Sequence, residues 1–129
     1  MTRCTFWVLL CTVGILACRK MRTRFDVSEL PGHYAANFRD ATDEIDLRRD
    51  GTYLHTARRN GRETIQDGRW EINQPEWGTV IDFSEFRFTW PFPLAVLDKG
   101  GWSATVQANG STIMLVISSD DGRYYLKQR

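Results

Sequence analysis

The chain has 129 residues, 42% of them hydrophobic and 26% charged, which is room for one small domain and none for a separate cofactor-binding domain. With 17 Lys and Arg against 16 Asp and Glu, a net charge of +1 creates no field that would select nucleic acid as a partner. The composition is neither that of a disordered polyelectrolyte nor that of a bundle of membrane helices.

All three cysteines, Cys4, Cys11 and Cys18, lie in the first eighteen residues, so the rest of the chain must be stabilised by packing without disulfides. Cys4 to Cys18 is a charge-free run of fifteen residues preceded by Arg3, the pattern of a signal peptide's basic start and apolar centre. As a helix it would extend roughly 22 Å at ~1.5 Å per residue, short of the ~30 Å hydrocarbon core. Its end, Gly14-Ile15-Leu16-Ala17-Cys18, resembles the lipobox of bacterial lipoproteins, in which a small residue admits the peptidase and the cysteine thiol is acylated. The chain is accordingly expected to comprise a signal peptide (1–17), a lipidated Cys18 with a basic tether (18–28) and an antiparallel β domain (29–129). The tether carries Arg19, Lys20, Arg22 and Arg24, each worth about 1 kcal/mol beside an anionic membrane. The same charges oppose export by the positive-inside rule, and the alternative is an uncleaved membrane anchor.

From Leu30 onward helical periodicity is not sustained, whereas period-two alternation and turn dipeptides recur. Asp50-Gly51, Asn60-Gly61, Asp67-Gly68, Asn109-Gly110 and Asp121-Gly122 supply the positive φ that tight hairpins demand. Strands are predicted over His33–Phe38, Glu44–Arg49, Thr52–Arg58, Glu63–Ile72, Thr79–Phe83, Glu85–Thr89, Trp102–Ala108, Ser111–Ser118 and Arg123–Lys127. Ile45 and Leu47, Trp70 and Ile72, Phe86 and Phe88, and the Trp102, Ala104, Val106, Ala108 series alternate with polar neighbours and mark one inner face. Ile113 to Ile117 is apolar throughout, as expected of a strand buried on both faces or covered by a lid. Eight or nine short strands without crossover helices form an all-β antiparallel meander, either an up-and-down barrel or a strongly curled half-barrel.

The succession Leu30-Pro31-Gly32-His33-Tyr34, Ile45-Asp46-Leu47 leading to Asp50-Gly51-Thr52-Tyr53, and Gly68-Arg69-Trp70-Glu71-Ile72 resembles small bacterial envelope lipoproteins with a lipocalin-like β domain of uncharacterised type. The resemblance covers about Leu30 to Ile72. It implies a barrel held at the cell envelope with a non-enzymatic binding role, and it speaks to fold more than to activity.

Chemistry-bearing residues are sparse. His33 and His55 read as strand histidines, and the serines form no nucleophile elbow. The run Asp40-Ala41-Thr42-Asp43-Glu44-Ile45-Asp46 lacks the spacing and glycine of a calcium loop and reads as a solvated loop and outer strand face. No metal, cofactor or catalytic residue is therefore expected. Arg58, Arg59 and Arg62 around Asn60-Gly61 either grip an anionic headgroup or glycan phosphate or protect a hairpin tip. Tyr34, Trp70, Phe86, Phe88 and Trp102 face inward, where they either fill the barrel or line a site for an apolar ligand. Trp90-Pro91-Phe92-Pro93 is an apolar loop, because its prolines remove ladder donors; Trp90 and Phe92 either plug the barrel or dock a partner.

The expected protein is thus a lipid-anchored envelope binding protein, its partners being the membrane through acylated Cys18 and either an envelope protein or a small apolar ligand. Arg19 rather than Asp after Cys18 favours the outer membrane over the inner. The rival functions are a carrier of a hydrophobic small molecule, which would retain lipid through purification, and a protein inhibitor or immunity factor, which would capture one partner saturably.

Overall fold

Each strand presents one apolar face, and the sheet buries those faces by curling until its first and last strands meet. The computed structural model describes residues 21–88 and 101–129. Among them are β1 (Gly32–Ala36), β2 (Thr42–Leu47), β3 (Thr52–Arg59), β4 (Arg62–Asn73), β5 (Val80–Ser84), β6 (Gly101–Asn109), β7 (Thr112–Ser118) and β8 (Arg123–Lys127), closed into an antiparallel barrel in chain order. Closure runs through β1 and β8, where Tyr34 lies opposite Lys127 and Ala36 opposite Tyr125. This is the up-and-down barrel rather than the open half-barrel. Cys18, Trp90, Phe92 and the end of the strand predicted to Thr89 lie outside the described residues.

Turn chemistry explains most of the hairpins. Asn60 (φ 50°) and Gly61 (φ 74°) take the paired positive angles that let a two-residue turn follow the twist of β3 and β4. Asp67-Gly68, read from sequence as another turn, instead lies inside β4. Gly68 is there for space: an added Cβ would come within 2.8 Å of both the Ser84 carbonyl oxygen and the Tyr53 ring.

Three other expectations change. No strand forms over residues 85–88, because Glu85 turns the chain with φ 55° and carries it over the barrel end. The predicted inward face survives without a ladder: Phe86 is fully buried, and Gln66 acts as a surrogate strand partner, its amide oxygen accepting from Arg87 N and its Nε2 donating to Arg87 O, both at 2.9 Å. In β7 only Leu115 is buried, and Ile113, Met114, Val116 and Ile117 are half-buried, because a single-layer barrel leaves every strand one outer face. The third change is at the N-terminal flank, where Arg22 and Ala108 exchange backbone hydrogen bonds, Thr79 N donates to Thr23 O at 2.8 Å, and Phe25 is buried with Leu30. Residues 22–30 are therefore the lower plug of the barrel rather than a free tether, and the β domain begins several residues before position 29.

Three buried tyrosines tie this core to pH. Tyr34 donates to the Leu30 carbonyl at 2.6 Å, Tyr53 to the Ser84 carbonyl at 2.6 Å and Tyr125 to Asp43 Oδ1 at 2.7 Å. Burial raises all three phenols, Tyr53 to about 12 and Tyr34 higher; the Asp43 charge adds to the rise at Tyr125. A folded-state pKa above the ordinary ~10 stabilises the barrel fully below that pH, and the contribution is lost as pH rises through the folded value. Tyr34 and Tyr125 therefore each weaken the fold as the pH climbs above ~10, and Tyr53, whose hydroxyl bond to Ser84 is only part-buried, weakens it less. Phenolate absorbance from these residues is expected to appear together with unfolding above pH ~10, and titration near pH ~10 with the barrel intact would contradict it.

Candidate functional site

The barrel's upper end carries the β3–β4 hairpin and the segment following β5. Strand parity sets what points inside it. In β2 Ile45 and Leu47 are buried, so Asp43, two residues earlier on the same face, is buried as well. In β3 the inner series is Tyr53, His55 and Ala57. The register places His55 opposite Ile45 and Ala57 opposite Asp43, while Tyr125 enters from β8 between Ala36 and Leu115.

These positions bring three polar groups together. Asp43 Oδ1 lies 2.6 Å from His55 Nε2 and accepts the Tyr125 hydroxyl at 2.7 Å. The Asp43 and His55 side chains are only 2% and 1% exposed. Both contacts fall on one carboxylate oxygen, and Asp43 Oδ2 and His55 Nδ1 are buried without a hydrogen-bond partner. With the His55 proton on Nε2, Nδ1 is a bare acceptor; with a second proton it becomes a donor. An orphaned buried polar atom costs about 1–3 kcal/mol, so two in one cluster mark a place that a bound group can improve. Phe86 covers the cluster, its ring stacked on His55 with centroids 4.5 Å apart and planes 22° from parallel.

Above the triad the inner face opens into a groove of about 490 Å³ whose lining includes Asp43, Ala57, Arg59, Arg62 and Thr64. Arg59 and Arg62 are directly opposed across the hairpin, one row beyond the opposed Ala57 and Thr64. Arg58 pairs with Glu63. The arginines singled out in the sequence thus line the same groove as Asp43.

The five aromatic candidates divide between the two ends. Tyr34 bonds the lower plug through Leu30, and the Trp70 indole donates to Arg48 O at 2.9 Å, so both hold connections together. Phe86, Phe88 and Trp102 meet near the triad, with Phe86–Trp102 and Phe88–Trp102 centroids at 5.0 and 4.9 Å, and Trp102 continues to Tyr125 at 5.8 Å. Of the histidines, His33 sits on β1 with a half-exposed side chain, 2.6 Å from Asp46. Asp43, assigned from sequence to a solvated loop and outer face, is the correction with the most consequence: it lies inside the barrel. Among the described residues no group of three or more His, Cys, Asp or Glu is placed to hold a metal ion.

No protein-family model, curated protein or solved structure matches the chain.

Proposed function

We propose that this chain is a lipid-anchored, non-enzymatic binding protein of the bacterial cell envelope, held at the outer membrane by acylated Cys18 and taking a small ligand at the upper end of its barrel. The observation that carries the binding role is the buried pair of unpartnered atoms, Asp43 Oδ2 and His55 Nδ1, beneath a groove open to solvent. A wholly apolar occupant would leave both atoms unsatisfied, so the ligand brings polar groups of its own. Binding is favoured over catalysis because, among the described residues, no hydroxyl or thiol is bonded to His55 Nδ1, and Ser84, Ser103 and Ser118 engage Arg69, Asp82 and Asp121. The anchor rests on the charge-free run ending Ala17-Cys18 and on the likeness of Leu30 to Ile72 to small envelope lipoproteins.

Intact mass of the membrane-extracted protein tests both halves. The expected species begins at Cys18, carries acyl chains and, under native ionisation, retains a small molecule. Cys18→Ala is expected to abolish palmitate incorporation and release the protein from membranes; equal labelling of wild type and mutant would overturn the anchor. A native mass without a bound molecule, together with no stabilisation by any polar or apolar small molecule, would overturn the binding role.

A further inference from the structure

The lower end of the barrel, opposite the groove, carries apolar side chains that the fold leaves uncovered. Among the described residues Met21, Val27, Ile65 and Trp77 stand exposed, Trp77 by 60%. Ile65 lies on β4 toward the upper hairpin. The other three share the lower end: Met21 precedes the backbone exchange between Arg22 and Ala108, Val27 opens the short 3-10 turn of the plug (Val27–Glu29), and Trp77 lies in the loop between β4 and β5. That loop is braced. Arg24 donates to the Pro75 and Glu76 carbonyls at 3.2 and 2.8 Å, Gly78 N donates to Pro75 O at 3.1 Å, and Thr79 N holds Thr23 O. Gly78 lacks the Cβ that would come within 2.9 Å of the Thr23 carbonyl oxygen, so the loop presses directly on the N-terminal segment. A large aromatic presented on a fixed loop gives up little conformational freedom when it docks.

What covers this surface follows from the chain that enters it. The charge-free run ends at Cys18, and Arg22 is already bonded to Ala108 in the barrel wall. Four residues span at most about 14 Å, so a membrane that holds Cys18, through acyl chains or through the apolar run itself, stands within that reach of the lower end. The headgroup layer is itself roughly 5–8 Å deep. Tryptophan is favoured there, because its ring is apolar and its N–H finds an acceptor. Charge agrees with this partner. Arg19 and Lys20 lie in the short link, and Arg48 and Arg49 are exposed in the β2–β3 turn at the same end, complementary to anionic headgroups. The acids of the plug are turned onto their own neighbours, Glu29 onto Arg22 and Asp26 onto Ser28. We infer that the lower end of the barrel docks on the membrane, with Trp77, Met21 and Val27 in the headgroup layer, so that the barrel stands upright and its groove faces away from the bilayer. The inference rests on the membrane attachment proposed above for its partner, and adds to it a second, non-covalent contact that fixes orientation. A groove so placed takes its ligand from the aqueous side rather than from the lipid beneath.

Tryptophan quenching of the full chain reconstituted in phosphatidylglycerol vesicles tests it, with a phospholipid brominated near the headgroup end of its acyl chains as the quencher. Part of the emission is expected to be quenched in the wild type and that part to vanish in Trp77→Phe, the remaining tryptophans being common to both proteins. Val27→Trp in the Trp77→Phe background should restore it, and Ile65→Trp, toward the opposite end, should not. Arg48→Glu with Arg49→Glu should lower the Trp77 signal on phosphatidylglycerol and leave it unchanged on phosphatidylcholine, which has no net charge. Thermal melting of each variant separates lost contact from lost fold; if Trp77→Phe melts early, Val27→Trp against Ile65→Trp in the wild-type background carries the same comparison. Equal quenching of wild type and Trp77→Phe, or restoration by Ile65→Trp as complete as by Val27→Trp, overturns the docked orientation. Palmitate labelling of Cys18 without Trp77 quenching leaves the acyl anchor standing and overturns the docking. Trp77 quenching in a chain that takes up no palmitate overturns the acyl anchor and supports the docking. Cross-linked pairs of the chain that disappear in Trp77→Phe, with no quenching by lipid, would make a second copy the occupant and overturn the membrane as partner.

Discussion

Asp43→Ala is expected to destabilise the barrel by about 3–5 kcal/mol, a large part of the ~5–15 kcal/mol that holds a small domain together. Alanine removes the oxygen that accepts from Tyr125 and meets His55 Nε2, and leaves two buried polar groups without it. Tyr125→Phe removes one donor and keeps the ring, so its cost should be smaller, about 1–3 kcal/mol. Replacing both members of the pair, Asp43→Leu with His55→Leu, should recover much of the loss, because exchanging both partners of a buried hydrogen bond for apolar side chains is often nearly neutral or better. Urea unfolding followed by tryptophan fluorescence gives all three values. An Asp43→Ala protein as stable as one carrying Asp121→Ala, which alters an exposed turn, would show that the triad contributes nothing to the fold.

Phe86→Ala is expected to cost a similar ~3–5 kcal/mol, although Phe86 belongs to no strand. Its fully buried ring stacks on His55 and packs against Tyr53, Phe83, Phe88 and Trp102, with centroids between 4.5 and 5.8 Å. Removing it opens a cavity over the barrel end and admits water to His55, whereas Phe88→Ala, at a half-buried position, should cost less. Equal and small losses at the two positions would show that residues 85–88 do not cap the barrel. The same pair of variants separates capping from ligand contact, because loss of affinity without loss of stability is expected of neither.

How much of this was visible beforehand depends on the range of the interaction concerned. Alternation places Ile45, Leu47, Trp70, Ala104 and Val106 inward, and the dipeptides at Asn60-Gly61 and Asn109-Gly110 bend the chain locally, so the meander follows from neighbours a few residues apart. Asp43 was legible by the same parity, being two residues before Ile45 on a face already recognised as internal, whereas the buried face of β3 that holds His55, two residues after Tyr53, is seen only in the structure. Charge outweighed parity in assigning Asp43 to solvent, because an acidic run is ordinarily solvated and a buried carboxylate needs partners that one strand cannot supply.

Those partners come from elsewhere in the chain. Tyr125 is 82 positions from Asp43 and reaches it only because β8 closes the barrel against β1. Gly68 is a glycine because Tyr53 and Ser84 occupy its Cβ position, so the turn-like Asp67-Gly68 lies in a strand. The apparent strand over 85–88 became a cap once Glu85 took a positive φ and Gln66 bonded the Arg87 peptide through its side chain. Strand grammar and the internal face were thus settled by the sequence alone, through local sterics and period-two burial. Closure of the sheet, the packing of residues 22–30 as a plug and the meeting of Asp43, His55 and Tyr125 were decided by tertiary structure, because each depends on groups that only the closed barrel brings into contact.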